Sequence, residues 1–189
     1  MSQILFQKAE FVKSAYYGKD LLKDRPTIAL IGRSNVGKST LINRLCRNKT
    51  LMRTGKTPGL TRAVNYVLVD DTFYLCDAPG YGFASFDSKH FEPLMKHFLF
   101  GNPSLKKVYI LVDSRRCLLP ADRQFADDLL HHRTPFSIVF TKTDKLKMSE
   151  HRQMIICKGE VGGELFESDV VSDEAIEILR EDIRKTLEN

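Results

Sequence analysis

A chain of 189 residues with 42% hydrophobic content is long enough for one substantial core and too short for two comfortable domains. Lys and Arg number 29 against 24 Asp and Glu, a net +5 that is compatible with nucleic-acid contact but selects no partner by itself. No apolar run approaches the roughly 18 residues needed to cross a bilayer. The opening stretch MSQILFQKAEFVKSAYY is broken by Lys8, Glu10 and Lys13 and lacks a signal-peptide core, so a cytoplasmic protein with no membrane partner is expected. The four cysteines (Cys46, Cys76, Cys117, Cys157) form no CxxC pair, which argues against a zinc site and leaves reduced thiols as the expectation.

In chain order, PTIALI reads as a short buried strand. A helix follows from about Lys38 to Arg47, with Leu41, Ile42 and Leu45 on one face. Asn48 to Thr61 is polar and glycine-containing, a loop. AVNYVLVDD and TFYLCDAPG read as two strands of an antiparallel hairpin joined at Asp70-Asp71. KKVYILVD is a further strand, then a helix from about Ala121 to His132, then the strand PFSIVFTKTD. SDEAIEILREDIRKTLEN is an amphipathic terminal helix whose first residues supply an N-cap and acids for the first turn. This alternation predicts an α/β fold with a mostly parallel sheet, whose ligands bind beyond the carboxyl ends of the strands. Charge is lopsided: Arg44, Arg47, Lys49, Arg53, Lys56 and Arg62 fall in a stretch without Asp or Glu, whereas acids dominate after Gly159.

The stretch GRSNVGKST fits the phosphate-loop pattern between a predicted strand and a predicted helix. Gly32 and Gly37 let the backbone curl so that the amides of Arg33, Ser34, Asn35, Val36 and Lys38 face phosphate oxygens, at a helix start that also favours an anion. Lys38 would reach the β- and γ-phosphates and Ser39, followed by Thr40, would ligate magnesium. The signal is strong, but it specifies only a nucleoside triphosphate.

Three further elements occur in order. In DAPG, Asp77 can hold magnesium through water and the Gly80 amide can bond the γ-phosphate, with Ala78 and Pro79 between them. In TKTD (Thr141, Lys142, Thr143, Asp144), the Asp144 carboxylate can accept from N1 and N2 of guanine, donors that adenine lacks. The Lys142 stem could lie over the purine face. In the loop around TPGLTR (Gly59, Leu60, Thr61, Arg62, then Ala63), Thr61 can offer a hydroxyl to magnesium and its amide to the γ-phosphate; Thr57 is the rival. The set expected to carry phosphoryl transfer is Lys38, Thr61 and Gly80, with no covalent nucleophile.

GRSNVGKST, TPGLTR, DAPGYGFA and TKTDK in this order resemble the EngB family (also called YihA or YsxC) of translation-factor-class GTPases, as do FVKSA before the phosphate loop and DSRRCLLPAD after it. The likeness runs from about Phe11 to Asp144. It implies a Ras-like G domain over residues 25–189, with one antiparallel strand, helices on both faces, and residues 1–24 packed on it. It also implies GTP and GDP as ligands, magnesium-dependent hydrolysis, the large ribosomal subunit and its RNA as partners, and a link to cell division and septation. DNA sequence readout is not expected. Two departures stand out. Thr141 replaces the usual asparagine, so a bracing amide is lost, and the last guanine element aligns only with Glu167, Ser168 and Asp169.

Tyr81 follows the DAPG glycine where many small GTPases carry a glutamine, so slow intrinsic hydrolysis is expected. Asn35 is a candidate potassium ligand beside the phosphates; otherwise it hydrogen-bonds within the loop. The basic run Arg44–Arg62 is either an RNA contact or a solvated loop. The five histidines lack metal spacing, and most of Phe83, Phe86, Phe91, Phe98 and Phe100 are expected in the core. A P-loop ATPase or nucleotide kinase, and a module that holds GTP with negligible hydrolysis, are the alternatives to a GTPase switch.

Overall fold

The structure is a computed structural model that describes residues 4–52, 63–81, 88–146, 164–167 and 172–188, with 88–91 and 164–167 as backbone alone. Its elements are β1 (Ala9–Ala15), β2 (Thr27–Gly32), α1 (Lys38–Leu45), β3 (Val64–Val69), β4 (Phe73–Asp77), α2 (Ser88–Phe100), β5 (Leu105–Asp113), α3 (Pro120–His131), β6 (Phe136–Thr141), β7 (Glu164–Glu167) and α4 (Asp173–Glu188). They build a seven-stranded sheet in the order β1-β3-β4-β2-β5-β6-β7. Strands β4, β2, β5, β6 and β7 are mutually parallel and β3 alone runs against them, because the β3–β4 hairpin reverses the chain.

Alternation along each strand sorts the core into two layers. Ile28 and Leu30 of β2 face Leu41 and Ile42 of α1 and Ile176, Leu179 and Ile183 of α4. Ala29 and Ile31 face the other side, where Leu94 and Phe98 of α2 and Phe125 and Leu129 of α3 pack. Phe98 is fully buried, and Phe100 stacks on His132 at 3.9 Å. Helix α4 begins as its sequence predicts: the Ser172 hydroxyl accepts from the Ala175 amide at 3.3 Å.

Two strands escaped the sequence reading. β1 pairs antiparallel with β3 at the sheet edge, from Ala9 opposite Val69 to Ala15 opposite Val64, with an irregularity between Phe11 and Lys13. Only Ala15 of β1 is buried, so the strand has no alternating apolar pattern to read. β7 is four residues long and pairs with β6. The expected hairpin forms at Asp70-Asp71, whose φ angles of 48° and 55° are the left-handed pair that matches strand twist. Its Asp70 carboxylate accepts backbone amides of Leu5, Phe6, Gln7 and Lys8 at 2.6–3.0 Å, which ties the N-terminal segment to the sheet.

One expectation is overturned. Cys46 and Cys76 are buried free thiols, but Cys117 is disulfide-bonded. The absence of a CxxC pair excludes only local pairing and says nothing about cysteines brought together by the fold.

Candidate nucleotide site

The carboxyl ends of β2, β4 and β6 bring the three motifs together. β2 ends at Gly32, and the loop to α1 turns through Asn35 at φ 61° and Gly37 at φ 109°. Gly37 is the N-cap of α1 and carries no side-chain cap, so the amides of Lys38, Ser39 and Thr40 precede the first intrahelical bond, Leu41 to Gly37. Val36 is buried as the loop's anchor, whereas Arg33, Asn35 and Thr40 are exposed and Ser34 and Ser39 half-buried. Lys38 is buried; its Nζ donates to the Gly32 carbonyl at 2.8 Å and lies 3.4 Å from that of Arg33. Desolvation lowers its pKa, against the opposing pull of Asp77.

Asp77 closes β4 at 2% exposure. Its Oδ2 accepts from the Ser39 hydroxyl at 3.4 Å, while its Oδ1 has no hydrogen-bond partner. Burial raises its pKa to about 6, although Lys38 and Ser39 pull the other way. An orphaned buried carboxylate oxygen beside a serine hydroxyl is an oxygen donor set of the kind that hard divalent cations take. Beyond it Ala78, Pro79 and Gly80 are buried. A Cβ on Gly80 would collide with the Gly32 carbonyl, so only glycine lets this segment lie against the phosphate loop.

TKTD reaches the same loop from β6. Thr141 is fully buried, and its hydroxyl donates to the Val36 carbonyl at 2.7 Å, with the Val112 carbonyl at 3.2 Å. The brace expected to be missing without asparagine is thus kept, because a hydroxyl on the strand end is near enough to bond the loop directly. Lys142, at φ 61°, donates to the Asn35 carbonyl at 2.7 Å and to Asp113 at 2.9 Å. That fixes the main chain of Asn35, leaving a potassium role for the residue untouched. Thr143 is half-buried. Asp144 is exposed rather than buried, and among the described residues its carboxylate has no partner.

Ala63 is buried just before β3, but Thr57, Gly59, Leu60, Thr61 and Arg62 lie outside the described residues, as do Ser168 and Asp169. Glu167 is the last residue of β7, at the carboxyl edge of the same sheet.

Two contacts were not anticipated. Asp113, at the end of β5, holds Lys142 and chelates Arg115 at 2.9 and 2.7 Å. Burial works against its ionisation, but bonds from Arg115 and Lys142 hold it well below the ordinary carboxylate range. An acid at the carboxyl end of a central strand was the available signal. Tyr81 donates to Asp122 Oδ1 at 2.6 Å and stacks on Phe125 at 4.4 Å, while Asp122 Oδ2 accepts the Leu119 amide at 2.8 Å and caps α3. Desolvation and the adjacent carboxylate push the phenol's pKa far up. Its hydroxyl is committed to α3 and does not stand in for a water-orienting glutamine.

Fold and site together are those of a P-loop GTPase. A family profile described as "50S ribosome-binding GTPase" matches residues 27–142, more than half of the chain. The probable GTP-binding protein EngB of Fusobacterium nucleatum subsp. nucleatum is 41% identical over 154 residues, 79% of each chain. That of Solibacter usitatus is 38% identical over 185 residues, 96% of this chain and 97% of the relative. The crystal structure of a probable GTP-binding protein engB superposes with a TM-score of 0.65 at 28% identity, over 86% of this chain and 98% of that one. Era in complex with MgGDPNP and nucleotides 1506–1542 of 16S ribosomal RNA superposes at 0.66 with 20% identity, over 86% of this chain and 56% of Era, a likeness of fold. The chain belongs to the EngB family of GTP-binding proteins.

Proposed function

We propose that this GTPase works as a magnesium-dependent switch on the large ribosomal subunit, in the cytoplasm, during assembly of that subunit, with the family's link to cell division following from it. The observation that carries the nucleotide half is the orphaned Asp77 oxygen beside Ser39, facing Lys38 across a loop with uncapped amides. Ser39 would hold magnesium directly and Asp77 through water; Thr61 completes the proposed set. The bound ion would neutralise charge developing on the phosphates. Lys38 and the loop amides grip the β- and γ-phosphates, the Gly80 amide meets the γ-phosphate, and Asp144 reads guanine while Lys142 covers the purine. Asn35 remains the proposed potassium ligand, and Glu167, Ser168 and Asp169 the proposed third guanine contact.

With Tyr81 tied to Asp122, the residue after the DAPG glycine supplies no water-orienting amide, and slow turnover without a partner is expected. Residues 25–189 form the proposed G domain, with 1–24 as its docked N-terminal segment. Support for the ribosomal half comes from the family profile's description. Co-sedimentation with purified large subunits in GTP analogue, GDP or no nucleotide tests it. Binding that prefers the triphosphate state is expected; equal or absent binding in all three removes the switch.

A further inference from the structure

We propose that the turn closing α1, together with the first half of α4, is a binding site for the phosphate backbone of RNA, separate from the nucleotide pocket; the choice of RNA rests on the ribosomal reading above. A cavity of about 660 Å³ lies there, lined by Asn43, Arg44, Arg47, Lys49, Asp173 and Arg180 among others. Helix α1 ends in a Schellman turn, in which the Asn48 amide bonds the Asn43 carbonyl at 3.0 Å and the Arg47 amide that of Arg44 at 3.2 Å. The left-handed position of that turn belongs to glycine or asparagine, yet Arg47 occupies it at φ 52°. Neither Arg47 nor Lys49 has an ion pair among the described residues, and both are exposed. A strained backbone that carries an unpaired cation is a poor structural device and a good way to present charge.

The presentation is rigid. The buried Asn43 side chain donates to the carbonyls of Lys49 and Met52 at 3.0 and 2.9 Å and accepts the Met52 amide at 2.8 Å, fixing the segment that bears the cations. Arg180, buried from α4, donates through Nε and Nη2 to the Arg44 and Leu45 carbonyls and through Nη1 to Glu177 at 3.0 Å, so it caps α1 and is neutralised within its own helix. Arg44 is held by Asp173 at 2.7 Å, but that carboxylate is fully exposed, and a pair of this kind is readily exchanged for a phosphate. Asp173 and Glu177 break up the positive lining, so a compact anion meets no uniform cradle. An extended polyanion can engage Arg44, Arg47 and Lys49 in series.

The test measures binding of a labelled 20-base-pair RNA duplex by anisotropy, from 50 to 200 mM salt, for the full chain and for Arg47→Gly/Lys49→Ala. GDP affinity is the check on folding. Glycine suits the left-handed turn, so the variant keeps its melting temperature while losing two phosphate contacts. We expect at least tenfold weaker RNA binding at low salt and a log–log salt slope shallower by about 1.8. Asp173→Asn, which removes a competing negative charge beside Arg44, strengthens binding severalfold. Unchanged affinity and slope in the double variant, or no duplex binding by the wild type at 50 mM salt, overturns the site. Subunit binding that needs Arg47 without any duplex binding also overturns it, in favour of a protein contact. Duplex binding that needs Arg47 without subunit binding upholds the site and removes the ribosomal reading instead.

Discussion

Asp70 and Asp77 sit at opposite ends of the β3–β4 hairpin and have opposite fates. Asp70 is saturated: it accepts backbone amides from four residues, and although burial disfavours its charge, those bonds hold its pKa below the ordinary value. Asp77 is almost completely buried, keeps one oxygen without a partner, and has its pKa raised from 3.8 to about 6. The first arrangement is what folding favours; the second is tolerated only where a ligand completes it. One end of the sheet is therefore built for stability and the other for binding, and substitutions at the two ends should separate these properties.

The largest effect belongs to the binding end. Lys38→Ala is expected to lower single-turnover GTP hydrolysis by about 10²–10³-fold, the scale of losing one preorganised charge donor, while circular dichroism of the nucleotide-free protein shows the fold retained. Asp70→Ala should do the reverse. Leaving its amides unpaired costs about 2 kcal/mol in denaturant unfolding, with GDP affinity unchanged. The pH sign follows from its depressed pKa: the Asp70 contribution is present above the unfolded-state value and is lost as pH falls, so wild type and variant converge in acid.

Asp77 has the opposite sign. Its raised pKa means that ionisation opposes folding, so the nucleotide-free protein loses stability through this group as pH rises from 3.8 towards about 6. A bound divalent cation prefers the ionised form, so magnesium affinity, measured by calorimetry in the presence of GDP, is expected to fall about tenfold per pH unit below 6. Asp77→Asn abolishes that dependence and stabilises the nucleotide-free protein near neutrality. The smallest effect is expected at the link between motifs. Thr141→Val leaves the Val36 carbonyl without its donor and costs about 1 kcal/mol in stability, with guanine affinity reduced to a similar degree. A variant with unchanged GDP affinity would mean that the brace does not shape the site.

The binding end was largely legible in the sequence because its residues are dictated by local chemistry. A curled amide loop needs glycines at fixed spacing, and an acid or hydroxyl at a strand end is visible as a break in an apolar run, as with Asp77, Thr141 and Asp144. The alternating core followed from the same runs. The stability end was not legible. β1 exposes most of its side chains and so has no periodicity, and Asp70 bonds amides more than sixty residues away, a partnership that no local pattern records. The Tyr81–Asp122 bond and the Asn43-stapled turn under Arg47 and Lys49 depend in the same way on which elements the topology brings together. Thr141 marks where local reasoning fell short: its departure from asparagine was visible, but the replacement bond needed the distance to Val36.

The most direct measurement is competition for magnesium-loaded, mant-labelled GDP by unlabelled GTP, GDP and ATP, on the wild type and on Asp144→Ala. GTP and GDP should displace the probe from the wild type and ATP should not, whereas Asp144→Ala should lose the preference while remaining folded. Displacement by ATP as readily as by GTP, or a guanine preference that survives Asp144→Ala, would contradict purine reading by that carboxylate above the phosphate loop.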